Sequence, residues 1–385
     1  MAKDGRLAVM CSRTRRRLLQ GCTLAALLTA LAPGISDAHA AGFFGVNAGS
    51  TFREAGAQRD HHLDLMDQAG VTVVRRDAAW IDSEPSAPDP TTGAHTYHWA
   101  GTDATQTALA VHGLTWYPIL DYAAPWAAVV PGDSMSGTRP DAVGDYAAYA
   151  GAFAARYGPD GTFWAAHPEL PKLPVAAYEL GNEPNASRFW HDQAHAPEVY
   201  ADLYTAARTA IKAVDSSTPV VSAGLLDANV MKPGDFLRRM LIRQPSLRTG
   251  IDAVGYHTYK GSYNGMRNGI RSLRTTMKSL GMNSTPIEIT EAGMTTKWVS
   301  ESARAKAIGT LARTLPTDRK LNVTRFLPYE WTSAQQGSDF NDWWGIMRPD
   351  GTPTATGAAY LSAVRTAPAR TARAARAARA AARHA

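Results

Sequence analysis

The chain has 385 residues, 45% of them apolar and 19% charged, with 10 Trp and 14 Tyr, the composition of a soluble globular protein. That length suits one large domain or two small ones and leaves barrel and sandwich folds open. The formal net charge of +6 comes from the two ends, and the body between them holds 29 basic against 32 acidic residues, so no nucleic-acid partner is implied.

The first forty residues read as an export leader. Arg13, Arg15, Arg16 and Arg17 precede an apolar run from Thr23 to Ala32, and Ala38-His39-Ala40 is a small-x-small cleavage pattern. The stretch Thr14 to Gln20, TRRRLLQ, has the form of a twin-arginine signal. The apolar run is too short for a comfortable membrane span. Both cysteines, Cys11 and Cys22, lie in this leader. An exported, cleaved chain therefore has no disulfide and no Cys-ligated metal.

From Ala41 onward, short apolar strands alternate with helical patterns. The strand candidates begin at Phe43, Val71, Leu114, Val175, Pro219, Ile251, Pro286 and Val323. Between them, apolar residues recur at helical spacing. The first two helical segments end at Gly70 and Gly113 and the third at Gly158, where glycine marks a helix C-terminus. A last helical segment, ATGAAYLSAVRTA, follows the eighth strand. Residues 366–385 read as an Ala/Arg-rich low-complexity tail, disordered or a fraying basic helix, with weak adhesion to an anionic cell wall as the alternative.

Eight β-then-α units without an obvious linker predict a single (β/α)8 TIM barrel over residues 41–365. A doubly wound open sheet would want a G-x-G-x-x-G turn after its first strand, and GVNAGSTFREAG lacks that order. In a barrel, the C-terminal strand ends share one mouth.

Glu183, in YELGNEPN, falls just past the fourth strand, and Glu291, in IEITEAG, ends the seventh. They are 108 positions apart, yet a barrel brings both to one rim. Two carboxylates across a cleft are what glycosidic hydrolysis needs, one protonated to give a proton to the leaving oxygen and one ionised. Glu179 and Glu288 lie inside their strands, before the rim, and read as ion-pair residues of the barrel interior. No H-E-x-x-H or His/Asp cluster points to a catalytic metal, and no G-x-S-x-G to an esterase. The adjacent His61 and His62 read as solvent-touching helix residues.

With GNEPN after a fourth strand and ITEAG after a seventh, the chain resembles the clan-A retaining glycoside hydrolases, most nearly families 39 and 5. The resemblance covers Ala41 to about Arg365. It implies Glu183 as acid/base and Glu291 as nucleophile, with no cofactor. It implies that Asn182 holds the sugar 2-hydroxyl. YHTY matches the clan's His-x-Tyr, which places His257 on the sugar or the catalytic pair and Tyr259 as a donor to Glu291. VVRRDAAW resembles Arg-x-Asp-x-x-Trp and sets Arg75 beside the nucleophile, although alternation alone does not choose between Arg75 and Arg76. Trp331 is expected as the aromatic floor of the site. Trp126, Trp343 and Trp344, joined by Tyr122 and Trp190, are expected as sugar platforms.

The expected protein is thus a secreted hydrolase of β-linked oligo- or polysaccharide. A transglycosylase using the same residues and a secreted glycan-binding barrel without turnover are the alternatives. The sugar, the linkage and endo or exo action stay open at this level.

Overall fold

Among the described residues there are ten strands: β1 (Gly45–Asn47), β2 (Val73–Ala79), β3 (Thr115–Asp121), β4 (Ala128–Val130), β5 (Asp133–Thr138), β6 (Tyr178–Asn182), β7 (Val220–Leu226), β8 (Val254–Thr258), β9 (Ile287–Ala292) and β10 (Val323–Pro328). They belong to a computed structural model that describes residues 42–367 except Ala55 and Asn229. The leader, and the tail beyond Ala367, lie outside the described residues. Among the described residues no helix is long and apolar enough to cross a membrane.

Eight strands form one sheet in the order β1-β2-β3-β6-β7-β8-β9-β10, every neighbouring pair parallel. A parallel bridge between Phe44 and Phe326 closes it, with the Phe326 N–H donated to the Phe43 carbonyl at 2.8 Å. This is a (β/α)8 barrel, and each barrel strand falls within one of the eight predicted stretches except β2, which runs two residues beyond Asp77 to Ala79. The hairpin β4–β5 was not predicted. Its strands are short, with Gly132 in the turn between them and Gly137 within β5, so neither shows the alternation that marks a strand.

The strands are apolar because both faces are covered. β9 is buried at all six positions, and helices lie outside it. The helix Val143–Tyr157 buries Tyr146, Tyr149, Ala150, Phe153 and Tyr157, a spacing of three and four that lines one face. Phe153 of that face meets Trp116 and Tyr178 of the sheet at ring separations of 5.4 and 6.4 Å. Gly70 and Gly113 do take the left-handed conformation expected after a helix (φ 81° and 71°). Gly158 instead leaves its helix extended, and a Cβ there would meet the Ala154 carbonyl oxygen at 2.7 Å.

Inside the barrel, alternate residues stack in layers. Val73, Tyr117, Ala177, Val221, Ala253 and Leu327 make an apolar layer. Along β2, Arg75 and Asp77 follow Val73 on the same inward parity, so the interior turns from apolar to charged toward the mouth. That polarity gradient positions the site.

Candidate active site

Arg75 is the hub of the charged layer. It is 2% exposed, and each nitrogen of its guanidinium is engaged. Nε donates to Glu179 at 2.5 Å, one terminal nitrogen to Glu291 at 2.6 Å and Asn47 at 2.8 Å, and the other to Asn182 at 3.0 Å. Burial works against its charge, but the carboxylates of Glu179 and Glu291 outweigh that and hold it protonated. Glu179 has a second anchor, accepting the Gly224 N–H at 3.0 Å. Glu288 accepts from the Tyr117 hydroxyl at 2.8 Å and from Arg325 at 3.1 Å. Both acids are thus consumed within the barrel, as their mid-strand positions predict. Arg76, on the other face of β2, lies over the Phe52 ring at 4.4 Å.

Glu291 closes β9 at the mouth. Burial alone would raise its pKa. The fields of His257 and Arg75, with hydrogen bonds from Tyr259 and Arg75, overcome this and hold it below the ordinary glutamate range. Burial beside Glu291 keeps the Tyr259 hydroxyl protonated and therefore a donor. Glu183 follows β6 with φ 44°, a left-handed conformation uncommon for a residue other than glycine. Its N–H is tied to the Gly224 carbonyl at 3.2 Å. The Nδ1 of His257 lies 2.7 Å from one Glu183 oxygen and 3.6 Å from Glu291. Nδ1–H donates to Glu183 whether the ring is neutral or charged, because its Nε2 faces the Arg75 guanidinium at 3.4 Å and the Thr290 hydroxyl at 3.1 Å.

His257 fits only because residue 224 lacks a side chain. A Cβ at Gly224 would stand 1.9 Å from His257 Nε2 and 2.3 Å from its Cδ2. Gly224→Ala is expected to push the imidazole off Glu183 and to lower kcat by on the order of 100-fold, the usual effect of a misplacement near 1 Å. Steady-state kinetics checks this, with circular dichroism expected to show an unchanged fold.

Residues 176–360 match the family described as "Glycosyl hydrolase catalytic core". Over those residues the chain is similar to a glycosyl hydrolase catalytic core. The fold likeness extends to solved structures. A monomeric beta-xylosidase from Caulobacter crescentus superposes with a TM-score of 0.60 at 19% identity, covering 83% of this chain and 67% of that one. A family 39 glycoside hydrolase from Bacteroides cellulosilyticus gives 0.61 at 16%, covering 85% and 64%. An endo-1,4-beta-mannanase from Rhizomucor miehei gives 0.56 at 13%, covering 84% and 95%. The chain thus spans about two thirds of the first two relatives' length. A search of curated protein sequences returns no match.

The barrel opens into a cavity of about 510 Å³, walled by Arg75, Asn182, Glu183, Tyr259, Glu291 and Trp344 among others. These six residues, all singled out from sequence, therefore meet in one place, together with His257 just behind the wall. Trp344 stands edge-on to Tyr259 and Tyr329, with ring centres 5.2 and 5.8 Å apart. Tyr122 also lines the cavity, while Trp190 lines a smaller chamber beside it.

Trp331 and Trp126 stand elsewhere, which corrects the expectation for both. Trp331 is fully buried and donates its indole N–H to His62 at 3.1 Å, so no face of the ring is open to a sugar. His62 in turn is fully buried rather than solvent-touching, with its Nε2 3.1 Å from the Pro349 carbonyl. Trp126 packs edge-on against Trp80 at 5.4 Å and donates to the Glu84 carbonyl. The aromatic that the end of β10 contributes to the cavity is Tyr329, two residues before Trp331.

Several wall residues escaped the sequence reading: Asn47, Asp77, Trp298, Tyr329 and Glu330. Asp77 had a signal, since it shares the inward parity of Arg75. Trp298, 72% exposed in the loop after β9, is an exposed aromatic that motif matching passes over. Glu330 is 2% exposed, and burial first of all pushes its carboxyl up to about 7.

Among the described residues, Glu183, His257 and Glu291 are the group that could gather round a cation, one ligand atom of each lying within 4.8 Å of the others. Two features argue against metal binding there. A hydrogen bond already joins His257 to Glu183, and the Arg75 guanidinium already neutralises Glu291.

Proposed function

We propose that the protein is an exported retaining β-glycoside hydrolase that cleaves O-glycosidic bonds of a β-linked oligo- or polysaccharide, with Glu183 as acid/base and Glu291 as nucleophile. One observation carries the reading: oxygens of these two carboxylates lie within 4.8 Å of each other at the cavity wall. Retaining enzymes hold their carboxyl groups about 5–5.5 Å apart, whereas inverting ones leave roughly 6.5–9.5 Å for a water.

The surroundings suit the two roles. Glu291, held ionised by Arg75 and Tyr259, attacks the anomeric carbon. The glycosidic C–O bond breaks as Glu183 gives its proton to the leaving oxygen, and a glycosyl ester forms on Glu291. A water then gives a proton to Glu183 and attacks the same carbon, and Glu291 departs as carboxylate. Asn182, its amide oxygen fixed by Arg75, presents its NH2 to the sugar 2-hydroxyl. Trp344, Tyr329 and the exposed Trp298 offer rings for sugar faces. The leader supports export, and the structural relatives, a xylosidase and a mannanase among them, leave the sugar open.

The test is turnover of aryl β-glycosides and soluble β-glycans by the full chain, beside Glu183→Ala. Hydrolysis by the parent, with azide restoring turnover of Glu183→Ala as a β-glycosyl azide, is the expected result. Glycan binding without any turnover would leave a binding barrel instead.

The acid limb of the pH profile follows from Glu291. Its pKa in the folded protein is depressed, so activity is present above that value and falls as pH drops through it. Tyr259→Phe removes one donor, raises the Glu291 pKa, and is expected to move the acid limb of kcat/KM to higher pH. An unmoved limb would mean that Tyr259 does not tune the nucleophile.

A further inference from the structure

The strand that leads to Glu183 leaves the barrel ladder by a sharp turn. Gly181 and Glu183 both take left-handed backbone angles, φ 84° and 44°, with Asn182 between them. β6 pairs Leu180 with Ser222 and Asn182 with Gly224 of β7. Between those two pairs a side chain stands in the ladder. Tyr200 donates its hydroxyl to the Leu180 carbonyl of β6 at 2.7 Å and accepts the Ala223 N–H of β7 at 2.6 Å. In an unbroken parallel ladder an N–H of one strand reaches the neighbour's carbonyl directly.

Tyr200 arrives there by packing. It lies on the helix Ala196–Val214, which buries Tyr200, Ala201, Leu203, Tyr204, Ala207 and Ile211 as one stripe. It is 1% exposed, and its ring packs against Phe236 at 5.8 Å. Phenylalanine would serve that packing equally well. The hydroxyl adds something else. Burial keeps it protonated, so it has one hydrogen to give and lone pairs to receive.

The bridge sits beside the backbone that aims Glu183. Gly224, next to Ala223, accepts the Glu183 N–H at 3.2 Å, gives its own N–H to Glu179 at 3.0 Å, and leaves the room that His257 fills. On the other strand, Leu180 leads through Gly181 and Asn182 to Glu183. Without the hydroxyl, the Leu180 carbonyl and the Ala223 N–H each lose a buried partner. A direct bond between them would span about 2.9 Å, where the bridge runs through two bonds in series. The strands would close on one another and carry Glu183 with them.

We propose that Tyr200 is a positioning residue for Glu183: its hydroxyl spaces β6 from β7 and so sets where the carboxyl stands. The inference rests on the glycosidase reading, in which Glu183 protonates the leaving oxygen. It adds a residue that lies outside the wall of the main cavity.

The experiment compares kcat/KM of the full chain, Tyr200→Phe and Tyr204→Phe on phenyl and dinitrophenyl β-glycosides of xylose, mannose and glucose. Dinitrophenolate departs without a proton, whereas phenolate needs one from the acid. kcat/KM reports the first chemical step, in which Glu183 is that acid. Tyr200→Phe is expected to lower kcat/KM for the phenyl glycoside by about 10- to 100-fold, and for the dinitrophenyl glycoside by less than about threefold. Tyr204→Phe is the control. Tyr204 lies on the same helix and donates to the Val220 carbonyl at 2.7 Å, but Val220 opens β7, at the end of the barrel away from the mouth. Its loss is expected to treat both leaving groups alike. A general loosening of the fold would do the same in either variant, so the leaving-group dependence separates aim from stability. Equal loss on both leaving groups in Tyr200→Phe, or no loss on either, would overturn the positioning role while the glycosidase reading stands. Failure of Tyr200→Phe to fold would make the hydroxyl a support of the fold and would overturn the role too. A parent chain that turns over none of these glycosides, and no soluble β-glycan, overturns the glycosidase reading and the role with it.

Discussion

Glu291→Ala is expected to lower kcat by about 10⁴- to 10⁶-fold, the scale on which removal of an enzymatic nucleophile acts. Substrate affinity should change little, because the cavity keeps Asn182, Tyr259 and its aromatic walls. The magnitude follows from what the residue would do. Without a carboxylate at this position no glycosyl ester forms, and water must attack the anomeric carbon unaided. The variant should fold, since Arg75 retains Glu179 and Asn47 as partners. Rapid-quench kinetics on an activated aryl glycoside measures the effect. A loss below about tenfold would place the nucleophile elsewhere.

Arg75→Met should cost about 3–5 kcal/mol of stability, the scale for breaking a buried ion pair from one side. Glu179 and Glu291 are 0% and 7% exposed, and the variant strands both without their shared cation. Urea unfolding would measure this as a shifted midpoint at constant slope. Arg75→Lys should recover only part of the loss. One ammonium cannot reach Glu179, Glu291, Asn47 and Asn182 from a single planar fork. Stability of Arg75→Met equal to the parent would mean that the two acids take up protons at no cost. The pH dependence also has a defined sign. Glu291 is depressed in the folded state, so its contribution is present above its unfolded pKa and is lost as pH falls through the folded one.

The strands and the convergence of Glu183 with Glu291 were legible in the sequence for different reasons. Parallel strands buried on both faces leave unbroken apolar runs, and all eight runs became barrel strands. Glu183 and Glu291 were legible because short motifs sit at strand ends, where a barrel forces convergence. The choice of Arg75 over Arg76 needed the barrel as well, since alternation gives two equal options until the inward face is known. Trp331 and Trp126 were misplaced because both lie in loops. Beyond Pro328, where β10 ends, strand parity says nothing about direction, and the indole of Trp331 turned inward to a buried partner in His62. Tyr200 was invisible for another reason. A tyrosine in an apolar helical stripe reads as packing, and only the folded barrel reveals that its hydroxyl stands between two strands.

The central claim is a covalent intermediate on Glu291, and trapping tests it most directly. The full chain would be incubated with an activated 2-deoxy-2-fluoro β-glycoside of a sugar it hydrolyses, digested, and mapped by mass spectrometry. The account predicts one added glycosyl mass on the peptide that contains Glu291, formed as activity disappears. Hydrolysis with no trapped ester and a first product of inverted configuration would contradict it.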